Sequence, residues 1–388
     1  MLFKEIVGHK ELKNRLIRTV LNEKVSHAQL FLGAEGSEKL ALAIAYAQFI
    51  SCSNKQMYSE DNDLIADSCG KCPSCVKYQK LAHPDLHFVF PVAATKNITS
   101  KPLSANFLKE WREELLESNY YTTLNEWYKK IGIENKQGRI GVDEANQIIK
   151  TLGLRAYEGG YKVMIIWMVE KLYHSAAPKL LKILEEPPPK TLFILIAEDT
   201  NSILKTILSR TQLVKLTPLA DEDIRSFLQH NFQVSEEKIE TIVNIADGSF
   251  KNVFPYLSDQ ADDNPYFIHF REMMLLAYQR NFLKMKSKSE ELSKIGRENI
   301  KQLLQYGVRI VRMCLYQDLG NTELIKSSGD ELGFIQKFSR FVNQNNAEEI
   351  SQILNEASFH IERNVNPKIT LMDTMLKIST NFGKMQNK

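Results

Sequence analysis

The sequence predicts an α/β protein in which helices flank a parallel sheet, followed by a helical region. Short apolar segments alternate with segments of helical periodicity in roughly the first 217 residues, as is typical of parallel sheets. A glycine-containing loop lies between the first predicted strand and the next helix, where nucleotide-binding folds place a phosphate-binding loop. After Leu219 the apolar pattern is helical only.

The elements of the α/β part follow from the spacing of apolar residues. The predicted strands are HAQLFLG, HPDLHFVFPV, YKVMIIWMV and TLFILIAE, in chain order. The third strand shows no polar–apolar alternation, which indicates burial on both faces. The predicted helices are HKELKNRLIRTVLNEK, KLALAIAYAQFIS, DEANQIIKTLGLRA and SAAPKLLKILEEPPP. Because proline cannot continue a helix, the last helix should end before Pro187–Pro189.

The domain prediction has three parts. An α/β domain covers residues 1–217 and includes a cysteine-rich module at about 52–78 and a helical insertion at about 92–138. A small three-helix domain at residues 218–262 and an all-helical domain at residues 263–388 follow.

The composition is that of an ordinary soluble globular protein. Of the 388 residues, 43% are hydrophobic and 25% are charged, and the formal net charge of +3 does not by itself indicate nucleic-acid binding. No apolar segment is long enough to span a bilayer, and the N-terminal residues lack the pattern of a signal peptide. We therefore expect a cytoplasmic protein with no membrane partner, in which clustered cysteines bind metal.

The loop FLGAEGSEKLALA only partly matches a phosphate-binding loop. Gly33, Gly36 and Lys39 supply its glycines and lysine, but Glu38 replaces the obligatory glycine before the lysine, and Leu40 replaces the Ser or Thr. A carboxylate at position 38 would repel and obstruct a phosphate, and Leu40 cannot ligate Mg²⁺. An unrelated glycine turn before a helix is the alternative interpretation.

A second part of an ATPase site is also missing. Such a site needs two acidic residues at the end of a later strand, one for Mg²⁺ and one for the attacking water. In YKVMIIWMVEKL these positions hold Trp167 and Met168, and Glu170 lies beyond them in a different register. Two independent losses predict that this chain does not hydrolyse ATP.

Four of the five cysteines lie close together in the sequence: Cys52, Cys69, Cys72 and Cys75. Four thiolates suit the tetrahedral preference of Zn²⁺, and a fully ligated ion would be structural. An iron–sulfur cluster or a redox role is the alternative, although the expected downstream cysteine followed by proline is absent. Cys314 stands alone and is expected in a core.

The segment TILSRTQ places Arg210 after a short helix that follows the fourth strand. An arginine at a domain edge can reach the γ-phosphate bound to a neighbouring subunit. By itself, however, an exposed arginine more often forms a surface ion pair.

Several segments together resemble bacterial DNA polymerase III clamp-loader subunits, which are AAA+ proteins. These are SHAQLFLGAEGSEKLALAIAYAQFISC, the four cysteines, AHPDLHF, LLKILEEPPPKTLFILIAEDTNSILKTILSRTQ and ADGSFKNVF. The resemblance covers roughly Leu2 to Leu257, and IERNVNPKITLMDTML is similar to the C-terminal collar domain of the family. The altered loop and the missing acids resemble the delta-prime type of subunit rather than the gamma/tau motor type.

The resemblance implies a function in clamp loading. Such a subunit would act as the stator of a hetero-pentamer with gamma/tau and delta subunits, which opens the sliding clamp and places it on primer-template DNA. Residues 218–262 would form the lid and residues 263–388 the collar. Ser209 and Arg210 match the family's Ser-Arg motif, which supplies an arginine finger to the neighbouring motor subunit. Lys251 falls where active relatives carry a phosphate-sensing arginine, and we expect it to be a relic.

The sequence departs from the family pattern in two places. The segment between Cys52 and Cys69 and the insertion at 92–138 are both longer than expected. We expect the insertion's Trp111 and Trp127 to pack it onto the sheet domain; a partner-binding site is the alternative.

Two other functions remain as hypotheses. The first is an active or divergent gamma/tau-type clamp-loader ATPase. The second is a stand-alone zinc-dependent nucleic-acid-binding protein, against which the weak net charge and the lack of a basic, aromatic-lined stripe argue.

Overall fold

The computed structural model describes residues 1–60, 63–253, 265–327 and 329–386. The chain divides into two compact units, which we call the sheet unit and the helical unit. The sheet unit comprises Met1–Val234 and Gly248–Asn252, and the helical unit comprises Ser235–Asp247 and Val253–Lys388. Among the described residues, no helix has the length and apolar character needed to span a membrane.

The sheet unit contains a five-stranded parallel sheet in the order β4-β5-β6-β1-β7. Its strands are β1 Ala28–Leu32, β4 Leu86–Val89, β5 Lys162–Trp167, β6 Thr191–Ala197 and β7 Gln212–Lys215. Every residue of β5 and β6 is buried, as the lack of alternation in β5 predicts. The predicted parallel sheet flanked by helices is confirmed.

Helices cover both faces of this sheet. The helices of the sheet unit are α1 Lys10–Leu21, α2 Lys39–Ser51, α3 Pro73–Gln79, α4 Leu108–Glu117, α5 Leu124–Lys130, α6 Val142–Gly153, α7 Ala177–Glu185, α8 Lys205–Leu208 and α9 Asp221–Asn231. One apolar cluster joins one face of the sheet to α1, α2, α4 and α5, and a second joins the other face to α6, α7 and α8. α2 is buried along most of its length because its alanines let neighbouring elements approach closely.

The remaining strands form a separate hairpin. β2 Gln56–Glu60 pairs antiparallel with β3 Asp63–Asp67, in the segment that joins Cys52 to Cys69. The unusually long segment noted in the sequence therefore contains regular structure, which the apolar pattern did not predict.

The insertion at 92–138 is continuous with the core of the sheet unit. Trp111 and Trp127 are fully buried, with ring centroids 5.0 Å apart. Trp127 Nε1 donates a hydrogen bond to the backbone oxygen of Pro91 at 2.9 Å. Both tryptophans therefore pack the insertion onto the sheet, as expected.

The helical unit confirms the prediction of a helical C-terminal region. Its helices are α10 Glu236–Ala246, α11 Pro265–Gln279, α12 Phe282–Leu292, α13 Arg297–Asp318, α14 Gly329–Phe338, α15 Ala347–Glu362 and α16 Pro367–Gln386. Cys314 of α13 is fully buried in its apolar core, as predicted. The third helix predicted within residues 218–262 falls partly on 254–264, outside the described residues.

Candidate functional site

The loop between β1 and α2 has the strand–loop–helix context that the sequence predicts. Gly33 N donates to the Ala197 backbone oxygen at 3.3 Å, which ties the loop to the end of β6. Gly36 has φ +79, and a Cβ added there would lie 1.9 Å from Ser249 Oγ. A side chain at position 36 is therefore excluded both by the backbone conformation and by the neighbouring segment.

Glu38 is built into the loop as a structural residue. It is only 3% exposed, and its backbone has φ 60, a conformation that favours glycine. Its Oε1 accepts hydrogen bonds from Val7 N at 3.2 Å and from the Tyr121 hydroxyl. Burial raises the pKa of Glu38 to about 7, although these two hydrogen bonds oppose the shift. The carboxylate thus holds two other segments against the loop.

The Lys39 side chain is hydrogen-bonded to the backbone of its own loop. Its Nζ donates to the Ala34 backbone oxygen at 2.8 Å and to Glu198 Oε1 at 3.3 Å, and its side chain is 7% exposed. Leu40 is 4% exposed within the core. The loop lysine is therefore hydrogen-bonded and paired within the chain, and the position of the Mg²⁺-binding hydroxyl is occupied by apolar packing.

Lys251 lies against the same loop. Its Nζ is 3.1 Å from Glu35 Oε1 and 3.9 Å from Glu126 Oε2. The adjacent Phe250 N donates to the Gly36 backbone oxygen at 3.2 Å. The structure thus brings Gly33, Gly36, Lys39 and Lys251 together, as the sequence interpretation requires.

The end of β5 lacks acidic side chains at the two positions identified in the sequence. Trp167 and Met168 are each 3% exposed, and the Trp167 ring centroid lies 5.0 Å from that of Trp111. Glu170 Oε1 instead accepts a hydrogen bond from Glu198 N at 3.0 Å. Burial raises the pKa of Glu170 to about 7. Its carboxyl group is thus directed to the end of β6.

Three residues of this region were missed by the sequence reasoning: Glu35, Tyr121 and Glu198. Glu198 is the last residue of the fourth predicted strand, and parallel strands end at the same edge of a sheet, so its position could have been anticipated. Tyr121 lies in the insertion, 83 residues from Glu38, and no local pattern connects the two.

The four predicted cysteine ligands form a compact cluster. Their Sγ atoms all lie within 4.8 Å of one another, and Cys52 Sγ is 3.7 Å from Cys69 Sγ. Four thiolates around one Zn²⁺ would be separated by about 3.8 Å, given Zn–S bonds of ~2.3 Å. All four thiols are free of disulfide bonds. The cluster can therefore hold one metal ion, and its ligand set suits zinc.

Local structure positions these ligands. Cys72 is the N-cap of α3, and its sulfur accepts from Cys75 N. Cys69 Sγ accepts from the backbone N–H groups of Lys71 and Cys72 at 3.5 and 3.3 Å. Backbone donors of this kind stabilise thiolates, the form that binds metal.

Arg210 lies at the surface of the sheet unit, after α8. Its side chain is 35% exposed, and its Nε donates to Glu185 Oε1 at 2.5 Å. Its Nη1 donates to the Thr206 backbone oxygen at 3.0 Å and to Ser209 Oγ at 3.1 Å. The guanidinium is therefore oriented by its own chain yet remains partly accessible.

Comparisons with known proteins give consistent matches. A family described as DNA polymerase III, delta subunit, matches residues 8–220, more than half of the chain. The chain is 26% identical to the tau subunit of Bacillus subtilis over 264 residues, which cover 67% of this chain and 37% of that protein. It is also 26% identical to the gamma subunit of Buchnera aphidicola from Schizaphis graminum, covering 85% of this chain and 83% of that protein.

A third relative is the delta' subunit of Bacillus subtilis, which is 26% identical over 56% of this chain and 51% of that protein. The chain thus spans less than two thirds of the tau and delta' proteins. A solved gamma subunit-related protein of Thermotoga maritima aligns over 96% of this chain and 99% of its own, with 14% identity and a TM-score of 0.40.

Proposed function

Because the chain belongs to the family of DNA polymerase III delta subunits, clamp-loader proteins of the AAA+ class, we propose that it is a delta-prime-type subunit that does not hydrolyse ATP. In this function it is the stator of a cytoplasmic hetero-pentamer with gamma/tau and delta subunits. The complex loads the sliding clamp onto primer-template DNA. This chain contributes Arg210 to the ATP site of the adjacent motor subunit.

The end of β5 is the observation that carries this proposal. An ATPase of this class needs carboxylates at the end of this strand to hold Mg²⁺ and to orient water. Trp167 and Met168 occupy these positions and are buried in the aromatic core. A small movement of the chain therefore cannot bring a nearby carboxylate into either position. Glu170 is held by the backbone of Glu198.

The geometry of Arg210 supports its assignment as the arginine finger. Three acceptors of its own chain fix the direction of the guanidinium, and Ser209 contributes one of them. A preoriented arginine loses less conformational entropy when it meets a phosphate than a freely rotating one. Its partial exposure leaves room for a second partner.

We further propose that Cys52, Cys69, Cys72 and Cys75 bind one structural Zn²⁺. The four sulfurs complete a tetrahedral ligand set, so no position remains open for a substrate. The ion would join the end of α2 to the start of α3 and fix the base of the β2–β3 hairpin.

The principal alternative is an active or divergent gamma/tau-type ATPase. One observation favours it: this chain is 26% identical to tau and gamma relatives, the same identity that it shares with a delta' relative. A stand-alone nucleic-acid-binding function has only the cysteine cluster in its favour.

ATP hydrolysis by the assembled loader tests the proposal. The isolated chain should show no hydrolysis, whereas a loader containing Arg210→Ala should lose the turnover of the adjacent site, by about 10³-fold or more. Arg210→Lys should not restore it, because lysine lacks the planar fork of donors. Arg155→Ala, an exposed arginine of the same unit, is the matched control.

Two results would contradict the proposal. Hydrolysis by the isolated chain would favour the gamma/tau-type alternative. Unchanged hydrolysis by a correctly assembled Arg210→Ala loader would remove the arginine-finger assignment.

A further inference from the structure

The two lysines of the predicted phosphate site are each paired with a glutamate of the same chain. Lys39 Nζ is 3.3 Å from Glu198 Oε1, and Lys251 Nζ is 3.1 Å from Glu35 Oε1. These are the two cations that a nucleotide phosphate would meet in a working site of this class. Both therefore already have an anionic partner supplied by the protein.

Each pair joins a lysine that is mostly shielded from water to a more exposed glutamate. The Lys39 and Lys251 side chains are 7% and 23% exposed, whereas their partners Glu198 and Glu35 are 32% and 41% exposed. Lys39 also donates to the Ala34 backbone oxygen, so two of its three N–H donors are used within the chain. Because the glutamates are partly exposed, salt screens these pairs in part, and they are strongest at low ionic strength.

The loop is also covered by neighbouring segments. Ser249 occupies the space beside Gly36, and Phe250 N donates to the Gly36 backbone oxygen. The Tyr121 ring packs on Phe250 with a centroid distance of 5.0 Å, and its hydroxyl donates to Glu38. The buried carboxyl group of Glu38 adds bulk where a phosphate would approach.

We propose that Glu35 and Glu198 take the electrostatic place of nucleotide phosphates, so that the loop keeps its lysine-paired arrangement without any nucleotide. The chain's own carboxylates satisfy Lys39 and Lys251, and anions are thereby excluded. Nucleotide exchange cannot then alter this region. The inference rests on the proposed function only in treating the 33–40 loop as the counterpart of a phosphate loop, and it does not depend on Arg210.

Anion binding by a charge-relieved variant tests this inference. In the full-length chain, Glu35→Gln/Glu198→Gln removes both negative charges and keeps the shape of the side chains. We expect wild type to show no binding of inorganic pyrophosphate in a calorimetric titration at low ionic strength. The double variant should bind pyrophosphate at least about tenfold more tightly than the weakest affinity that the wild-type titration could detect, because two negative charges beside the lysines are removed. Adding Lys39→Ala or Lys251→Ala should abolish the gain.

The matched control is Glu113→Gln/Glu117→Gln in α4. It removes the same charge and also breaks two glutamate–lysine pairs, with Lys109 at 3.9 Å and Lys130 at 2.7 Å, but away from the loop. It should bind no pyrophosphate. Were the control to gain as much affinity as the test variant, net charge alone would explain the result and the inference would be overturned.

Two further outcomes would overturn it. The first is binding of pyrophosphate by wild type as tightly as by the double variant, and the second is no binding by a folded double variant. If the double variant does not fold, Glu198→Gln alone should show a smaller gain in pyrophosphate affinity, because it removes the carboxylate paired with Lys39. Glu35→Gln alone is less informative, because Glu126 remains 3.9 Å from Lys251. None of these results bears on Arg210, whose test is hydrolysis by the assembled loader.

Discussion

Glu38 occupies a position where phosphate-binding loops have glycine, and the neighbouring residues bury its side chain and donate hydrogen bonds to it. Its φ of 60 is that of a glycine, its Oε1 receives two hydrogen bonds, and its side chain is 3% exposed. Burial of the carboxyl group raises its pKa to about 7. The protonation of this loop residue is therefore linked to the stability of the fold.

The pKa of Glu38 predicts the pH dependence of stability. Its pKa is raised above the unfolded value near 4.5, so its favourable contribution is fully present below that pH and is lost as pH rises through about 7. Glu38→Gln keeps an acceptor oxygen but cannot ionise. We expect it to be more stable than wild type at pH 8, by on the order of 1–3 kcal/mol, with the difference vanishing toward pH 4.

Urea unfolding at several pH values, followed by tryptophan fluorescence, measures this difference. All three tryptophans lie in the sheet unit, so the signal reports that unit. Glu113→Gln, which replaces an exposed glutamate, serves as control. A stability difference that does not change with pH would show that Glu38 does not titrate in this range.

At the scale of elements, burial explains which strands the sequence predicts. β5 and β6 are buried at every position and appear as continuous apolar segments. In β7 only Val214 is buried, so this edge strand leaves no apolar segment to recognise. It pairs with β1 through backbone hydrogen bonds, which every residue except proline can form, so the pairing leaves no signal in the side chains.

The cysteine-rich module leads to the most specific chemical prediction at this scale. We expect purified wild type to contain about one equivalent of zinc by elemental analysis and Cys72→Ser to lose it, since four ligands complete the site. Hydrogen exchange should then increase in α3 and the β2–β3 hairpin, because metal binding and local folding are coupled.

Cys314→Ala is the control, since Cys314 lies in the core of the helical unit and should not affect zinc content. Iron and sulfide in place of zinc would support the iron–sulfur alternative. Full zinc content in Cys72→Ser would exclude that cysteine as a ligand.

At the scale of the whole molecule, the chain combines an α/β unit with a helical unit. The boundary between them is not a single point in the sequence, because α10 belongs to the helical unit whereas Gly248–Asn252 returns to the sheet unit. Lys251 therefore lies beside the 33–40 loop although 215 or so residues separate them in sequence. The proposed division into an α/β domain, a lid and a collar remains a prediction.

Thermal unfolding of the full chain tests nucleotide independence at this scale. A ligand that binds only the folded state stabilises it, by about 2.7 kcal/mol at a hundredfold excess over Kd. We expect millimolar ATP with Mg²⁺ to leave the Tm of this chain unchanged, because Lys39 and Lys251 are already paired. A gamma/tau-type relative that binds ATP provides the positive control, and a comparable rise in this chain would support the alternative function.

The sequence alone determined the fold class and pointed to the four cysteines that the structure brings together, and it places Glu38, Trp167 and Met168 where an ATPase would carry other residues. These features are local, since apolar periodicity, C-x-x-C spacing and motif positions are each set within a few turns of chain. It could not determine that Glu198 and Glu35 pair with the loop lysines or that Tyr121 hydrogen-bonds Glu38. Those contacts join residues distant in sequence, and only the order of strands and the packing of the insertion bring them together. Burial likewise decided the pKa of Glu38, because desolvation depends on every segment that surrounds a group.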